Sequence, residues 1–366
     1  MSLKYALIGC GRISPNHVSA ALNNNLKIVG LCDLEIAKAN KLLTDYNLCD
    51  FTKVYNDYKN MIEVEKPNLI AIATESGNHA AIAKYCIQKG IHIIIEKPIA
   101  LSLKDADEII SLANQFKVNV SACHQNRFNK SIQKIRDSIE KKRFGKLFHG
   151  TAHIRWNREQ DYYTQAPWRG TWEQDGGALM NQCIHNIDLL RWMMGDEIDE
   201  VFAYTNNLNH PYIETEDLGV ALVKFKNGSY GVIEGTTNIF PKNLEETLYL
   251  FGEKGTVKAG GKSVNIIEEW LFADKLDDPE QVKQIYHENP PTVYGFGHTP
   301  LYTDVIKSID EKKPPYVSAE DGRRALELVL AIYKSAQLGK PIKFPLSNCS
   351  TMDFKEVLGD EKNETK

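Results

Sequence analysis

The chain has 366 residues, 42% hydrophobic and 25% charged, a globular balance that excludes a disordered, collagen-like or coiled-coil chain. That length exceeds one ordinary hydrophobic core, so two domains are expected. With 44 Lys and Arg against 48 Asp and Glu, the net charge of −4 supplies no global field for nucleic acid or anionic lipid.

The first 125 or so residues alternate short apolar runs with helical patterns. Tyr5 to Ile8 reads as a strand, and Ser14-Pro15 opens a helix with a capping side chain and a proline in its first turn. Lys27 to Cys32 is a second strand, and Asn68 to Thr74, apolar on both faces, is a central parallel one. A helix over His79 to Gln88, a strand over His92 to Ile95, a helix from Ser102 to about Phe116 and a strand over Val118 to Ala122 follow. Regular strand–helix alternation predicts a doubly wound parallel sheet. After a helix over about 129–142 the pattern shifts to alternating strands: Leu147 to Trp156, Val201 to Thr205, Leu218 to Phe225, Tyr230 to Thr237, Thr247 to Phe251 and Val257 to Lys258. Lys226-Asn227-Gly228-Ser229 makes a hairpin turn among them. These runs predict an α+β domain with a large, mostly antiparallel open sheet. A long helix, roughly Ala178 to Met194, precedes most of it, and a last helix runs from the Ser318 cap to Gly339. The expected division is 1–125, 126–350, and a charged, mobile tail over 351–366.

Several classes of partner drop out. Lys141-Lys142-Arg143 is a short run on a helix and reads as a solvated face. No apolar stretch approaches the roughly 20 residues of a membrane helix, and the opening MSLKYALIGCGR lacks a signal-peptide pattern. Seven cysteines include no C-x-x-C pair, and Cys10, Cys32, Cys86 and Cys123 lie in or beside apolar runs. They read as buried thiols in a reduced cytoplasm. His149 and His153 fall in a strand, about 13 Å apart along the chain, too far to share zinc. No H-E-x-x-H or G-x-S-x-G motif is present, so neither a metal site nor a simple hydrolase is expected.

Gly9-Cys10-Gly11-Arg12-Ile13-Ser14 follows a strand and opens a helix. Two glycines let the backbone turn tightly and approach a pyrophosphate, which then meets the helix N-terminus. Asp33 ends the second strand 22 residues after Gly11, where a carboxylate binds a ribose diol and repels a 2′-phosphate. The combination predicts a Rossmann site for NAD rather than NADP. Glu96-Lys97-Pro98 ends a buried strand on the side where open parallel sheets bind ligands, which makes Lys97 a functional candidate. Asn181, His185 and Asp188 share a helix face by spacing. His185 is the candidate acid/base, with Asp188 available to hold its tautomer. Trp168 and Tyr163 suit stacking on a ring, and Arg169 suits a fork onto a carboxylate or phosphate.

These motifs, GCGRIS, Asp33, EKP at 96–98 and GGALMNQCIHNIDLLRW at 176–192, resemble the glucose–fructose oxidoreductase / inositol dehydrogenase (Gfo/Idh/MocA) family. The resemblance implies an NAD-dependent dehydrogenase in which Lys97 and His185 act on a sugar or polyol hydroxyl. It places Gly9, Gly11, Arg12, Ile13, Asp33, Thr74, Ser76, His79, Glu96, Lys97, Gln125, Trp168 and Arg169 at the cofactor. Lys97, Arg127, Tyr163, Trp168, Arg169, Asn181, His185 and Tyr302 fall to the substrate. Two positions depart from the family pattern: Asn181 stands where an aspartate is usual, and Ala73-Thr74-Glu75 replaces A-T-P. The block from Tyr162 to Gly195 is similar to bacterial UDP-N-acetyl-2-amino-2-deoxyglucuronate 3-dehydrogenases. That similarity implies a UDP-sugar substrate oxidised at C3 for cell-surface polysaccharide synthesis, and 2-oxoglutarate as an electron acceptor. A free-sugar or inositol dehydrogenase and a non-catalytic NAD-binding regulator are the alternatives. A broad sheet with one face to cover predicts a homodimer or homotetramer.

Overall fold

The structure is a computed structural model that describes residues 3–48, 50–195 and 197–355. Eleven elements come first: β1 (Lys4–Ile8), α1 (Ser14–Asn23), β2 (Lys27–Cys32), α2 (Ile36–Asp45), β3 (Lys53–Tyr55), α3 (Tyr58–Glu65), β4 (Leu69–Ile72), α4 (His79–Gln88), β5 (His92–Ile95), α5 (Leu103–Phe116) and β6 (Val120–Ala122). Their strands form one sheet in the order β3-β2-β1-β4-β5-β6, and every pairing is parallel. The order reverses between β1 and β4, the switch point beside which such sheets bind ligands. β4 is buried at every residue and β5 at three of four, as strands covered by helices on both faces must be. Ser102 caps α5 by accepting from Asp105 N at 3.0 Å.

Next come α6 (Lys130–Glu140), β7 (Leu147–Arg155), α7 (Gln160–Thr164), α8 (Ile184–Met194), β8 (Ile198–Asn206), β9 (Leu218–Phe225), β10 (Tyr230–Thr236), β11 (Glu245–Gly252), β12 (Gly255–Gly260), β13 (Ile266–Phe272) and α9 (Pro279–Ile285). α10 (His298–Glu311), α11 (Ala319–Leu338) and β14 (Ile342–Lys343) complete the order. The second sheet has eight strands, β13-β12-β11-β7-β10-β9-β8-β14. It is antiparallel except where β10 runs beside β7. β9 alternates buried residues with half-buried or exposed ones, and the short stubs read from sequence at Thr247 and Val257 extend into the full strands β11 and β12.

The expected helix over 178–194 is not α-helical throughout. Leu179–Cys183 adopts the wider π form before α8 begins, a local insertion often found at functional sites. Sheet glycines let it lie close. A Cβ on Gly219 would stand 2.5 Å from Leu179 Cδ1, and one on Gly235 would stand 2.7 Å from Cys183 Sγ. The opposite face of that sheet exposes Tyr204, Val220, Leu222 and Tyr230.

The chain divides into two compact units. One comprises Met1–His124 with Gly297–Arg323, the other Gln125–Phe296 with Arg324–Lys366. The sequence pattern suggested a single cut near 125. In the structure the chain returns to the first unit through α10, and it leaves again within α11. Among the described residues, no helix is long and apolar enough to cross a membrane. Most of the expected tail, residues 356–366, lies outside the described residues.

Candidate active site

In the first unit the site begins where β1 ends. Gly9 has a φ of +94°, and a Cβ there would stand 2.5 Å from the backbone of Ala73. Only glycine permits that close crossing of the β1 and β4 loops. Around Gly11 a Cβ would meet nothing within 4 Å, so the turn presents open backbone. Arg12 is exposed and Ile13 half-buried beside it. Ser14 was expected to cap α1, but Ile13 holds that position. The Ser14 hydroxyl instead donates back to Gly11 O at 2.5 Å and closes the turn. Asp33 accepts from Cys10 N and Glu35 N, each at 2.8 Å. Two bonds leave a carboxylate further lone pairs for a ribose diol. An open glycine cradle tied to a half-buried carboxylate fits an adenine dinucleotide.

Beyond β4 and β5, Thr74 and Lys97 are half-buried, while Ser76, His79 and Glu96 are buried. The Lys97–Pro98 peptide is cis. His79, expected at the cofactor, is a brace: Nδ1 lies 2.8 Å from Pro98 O and Nε2 3.1 Å from Thr74 O. Burial lowers its pKa. Glu96 turns Oε1 inward, 3.0 Å from His17 Nε2. Tyr302, assigned to the substrate from sequence, is fully buried in the first unit. Its hydroxyl lies 2.7 Å from His17 Nδ1 and 2.9 Å from Tyr5 Oη. It is a core residue, because α10 folds back into this unit.

In the second unit the expected stripe of Asn181, His185 and Asp188 disperses, since the π segment changes the helical phase. His185 is half-buried, with Nε2 3.5 Å from the buried Gln125 amide. Asn181 Nδ2 donates to Asp175 Oδ1, and Asp175 Oδ2 accepts from Gly170 N at 2.7 Å. The carboxylate that position 181 lacks is thus supplied from the turn before the helix. Asp188 is fully buried and claimed by arginines: Arg127 forks onto it at 2.6 and 2.7 Å, and Arg191 adds a bond at 2.9 Å. Arg127, expected at the substrate, is therefore an internal partner that also stacks on Trp192.

A second constellation begins one turn earlier on the same helix. The Arg169 guanidinium lies over the Tyr162 and Trp168 rings at 4.2 and 4.4 Å and donates to Tyr162 Oη. Arg158 covers Trp156 and Tyr162 and donates to Gln182 Oε1 at 2.9 Å. Gln182 in turn donates to Tyr162 Oη at 2.8 Å. Burial lowers the Arg158 pKa and raises that of Tyr162. Tyr163, expected to stack on a ring, is buried against His210 and Tyr212, with its hydroxyl 3.3 Å from Thr237 Oγ1. Sequence reasoning missed Asp175, Arg158 and Gln182. Asp175 carried a signal, the adjoining Gly176-Gly177 turn, whereas Arg158 and Gln182 meet only through the fold.

Both units match known families. Residues 3–124 match the oxidoreductase family with an NAD-binding Rossmann fold, and residues 132–258 match the GFO/IDH/MocA C-terminal domain. The chain belongs to the Gfo/Idh/MocA oxidoreductase family, and its first unit is an NAD-binding domain. It is similar to the WlbA dehydrogenase of Bordetella pertussis, solved with NADH and UDP-GlcNAcA. That chain is 35% identical, the match covers 94% of this chain and 99% of that one, and the TM-score is 0.87. The WlbA dehydrogenase of Chromobacterium violaceum, in complex with the same two molecules, is 34% identical over 94% and 97%, with a TM-score of 0.86. Myo-inositol 2-dehydrogenase of Thermotoga maritima is 24% identical over 93% of this chain and 98% of its own length. The chain is an NAD-dependent oxidoreductase of sugar-type substrates.

Proposed function

We propose that the protein oxidises the C3 hydroxyl of a UDP-linked N-acetylated glucuronate to the 3-keto sugar. The observation that carries the substrate class is the run of side chains along one helix. His185 lies one turn beyond Gln182, which joins two ring-stacked guanidiniums, Arg158 and Arg169. Cations braced on aromatic rings suit an anionic, ring-bearing ligand. The two WlbA structures, solved with UDP-GlcNAcA, support the same class.

Gly9, Gly11 and Asp33 would hold NAD, which when bound accepts a hydride. His185 takes the hydroxyl proton as general base, and Lys97 serves as the hydrogen-bond donor for the developing negative charge. Asn181, oriented by Asp175, binds the sugar beside them. 2-Oxoglutarate serves as the acceptor that re-oxidises NADH, and the exposed face of the eight-stranded sheet is covered by a second copy in a homodimer or homotetramer.

The experiment presents UDP-N-acetylglucosaminuronate, free sugars and myo-inositol to the chain with NAD. The UDP-sugar should raise the melting temperature and yield NADH. Turnover of inositol without response to the UDP-sugar would overturn the reading in favour of a free-polyol dehydrogenase. His185→Asn should keep NAD binding and lose about 10²–10⁴ in turnover. Lys97→Ala should lower kcat more than NAD affinity.

A further inference from the structure

A cluster of metal-ligating groups lies inside the first unit, at the carboxyl ends of β5 and β6. His17 comes from α1, Glu96 follows β5, Cys123 follows β6, and His298 opens α10. All four are buried, and one ligand atom from each lies within 4.8 Å of the others. His17 Nε2 stands 3.0 Å from Glu96 Oε1, and His298 Nε2 stands 3.6 Å from the same oxygen. Tetrahedral zinc bonds of 2.0–2.3 Å require donors about 3.4 Å apart, which is the scale of these separations.

We propose that His17, Glu96, Cys123 and His298 form a closed site for a divalent transition-metal ion of the zinc class. Two observations carry this beyond mere proximity. The first is His298, which is 3% exposed and, among the described residues, has no hydrogen-bond partner within 3.5 Å at either ring nitrogen, only the longer 3.6 Å approach of Nε2 to Glu96 Oε1. A buried polar group left without a partner is destabilising, and a metal bound at Nε2 would supply that partner. The second is the orientation of His17. Its Nδ1 lies 2.7 Å from Tyr302 Oη, itself bonded to Tyr5, which fixes the ring with Nε2 turned to the cluster, as outer partners of ligating histidines do. No catalytic water position remains once four side chains bind, so the ion is structural. It would anchor the residue that precedes Lys97.

The test uses the full chain, purified without metal-affinity resin. Zinc and cobalt are each dialysed against it, and bound metal is counted. About one ion per chain is expected, with a thiolate-to-cobalt charge-transfer band contributed by Cys123 and a higher melting temperature for the zinc form. His298→Gln and Cys123→Ser should each weaken binding at least about tenfold while NAD binding reports an intact unit. Failure of the parent chain to bind metal, or a cobalt complex without a thiolate band, would overturn the proposal. The spectrum of the parent chain decides even if a variant does not fold.

Discussion

The two units build their candidate sites by opposite means. The first uses backbone: an open glycine turn, one carboxylate tied to it, and a helix start. The second uses side chains gathered from distant segments, such as Arg158 with Gln182 and Asn181 with Asp175. Backbone recognition depends on a few neighbouring residues and tolerates little change. Side-chain recognition depends on packing over the whole unit, and it separates residues that touch ligand from residues that hold the scaffold.

The sharpest break of this contrast is Gly9→Ala. Its methyl would meet the Ala73 backbone at 2.5 Å at a positive φ. Strain and overlap each cost about 1–3 kcal/mol, so NAD titration should show affinity lost and melting should show the chain destabilised. Unchanged NAD binding would refute the cradle. In the second unit the corresponding break is structural. Asp188→Leu leaves Arg127 and Arg191 buried without their shared carboxylate, which should cost about 3–5 kcal/mol. Denaturant unfolding measures it. Below the melting range, KM for the sugar should be unchanged, because Arg127 serves the scaffold. A smaller effect is expected of Asp33→Asn. Losing a charge-assisted bond worth about 1.5–3 kcal/mol should weaken NAD roughly ten- to a hundredfold and narrow its preference over NADP, as paired titrations would show.

The same contrast explains what was legible in the sequence. GCGRIS with Asp33 announced the first unit, because spacing along the chain is all such a turn requires. Alternation announced the second sheet, although its short edge strand β14 carries too little pattern to be seen, as does β3 at the edge of the first sheet. Lys97 and His185 stood out by motif. For Tyr302, His79 and Arg127 the sequence did not reveal burial, which is set by packing: α10 returning to the first unit buries Tyr302, and nothing near residue 302 signals that return. The Asn181 departure looked like a missing carboxylate, whereas Asp175 supplies one through a turn and a π segment that helical spacing does not describe.

The finest probe of the side-chain scaffold is Glu216, fully buried behind the π segment. Oε1 accepts from Leu179 N at 2.7 Å and from Tyr333 Oη at 2.8 Å. Burial, aided by the charge of Asp175, raises its pKa from 4.5 to about 8. The folded state therefore binds a proton that the unfolded state releases between those values. Stability should be greatest at or below the unfolded pKa, fall as pH rises through this window, and level off above the folded pKa. Between pH 7 and 8 the loss should be at most about 1.4 kcal/mol. Glu216→Gln cannot ionise, so its melting temperature should lose this contribution to the pH slope. A fixed cost of the amide would shift the whole curve, so the slope is the readout. Parallel melting curves for Gln and Glu from pH 5 to 8 would show that Glu216 is ionised throughout. A burial argument that holds for this carboxylate would then need a counter-charge in the second unit that its contacts do not provide.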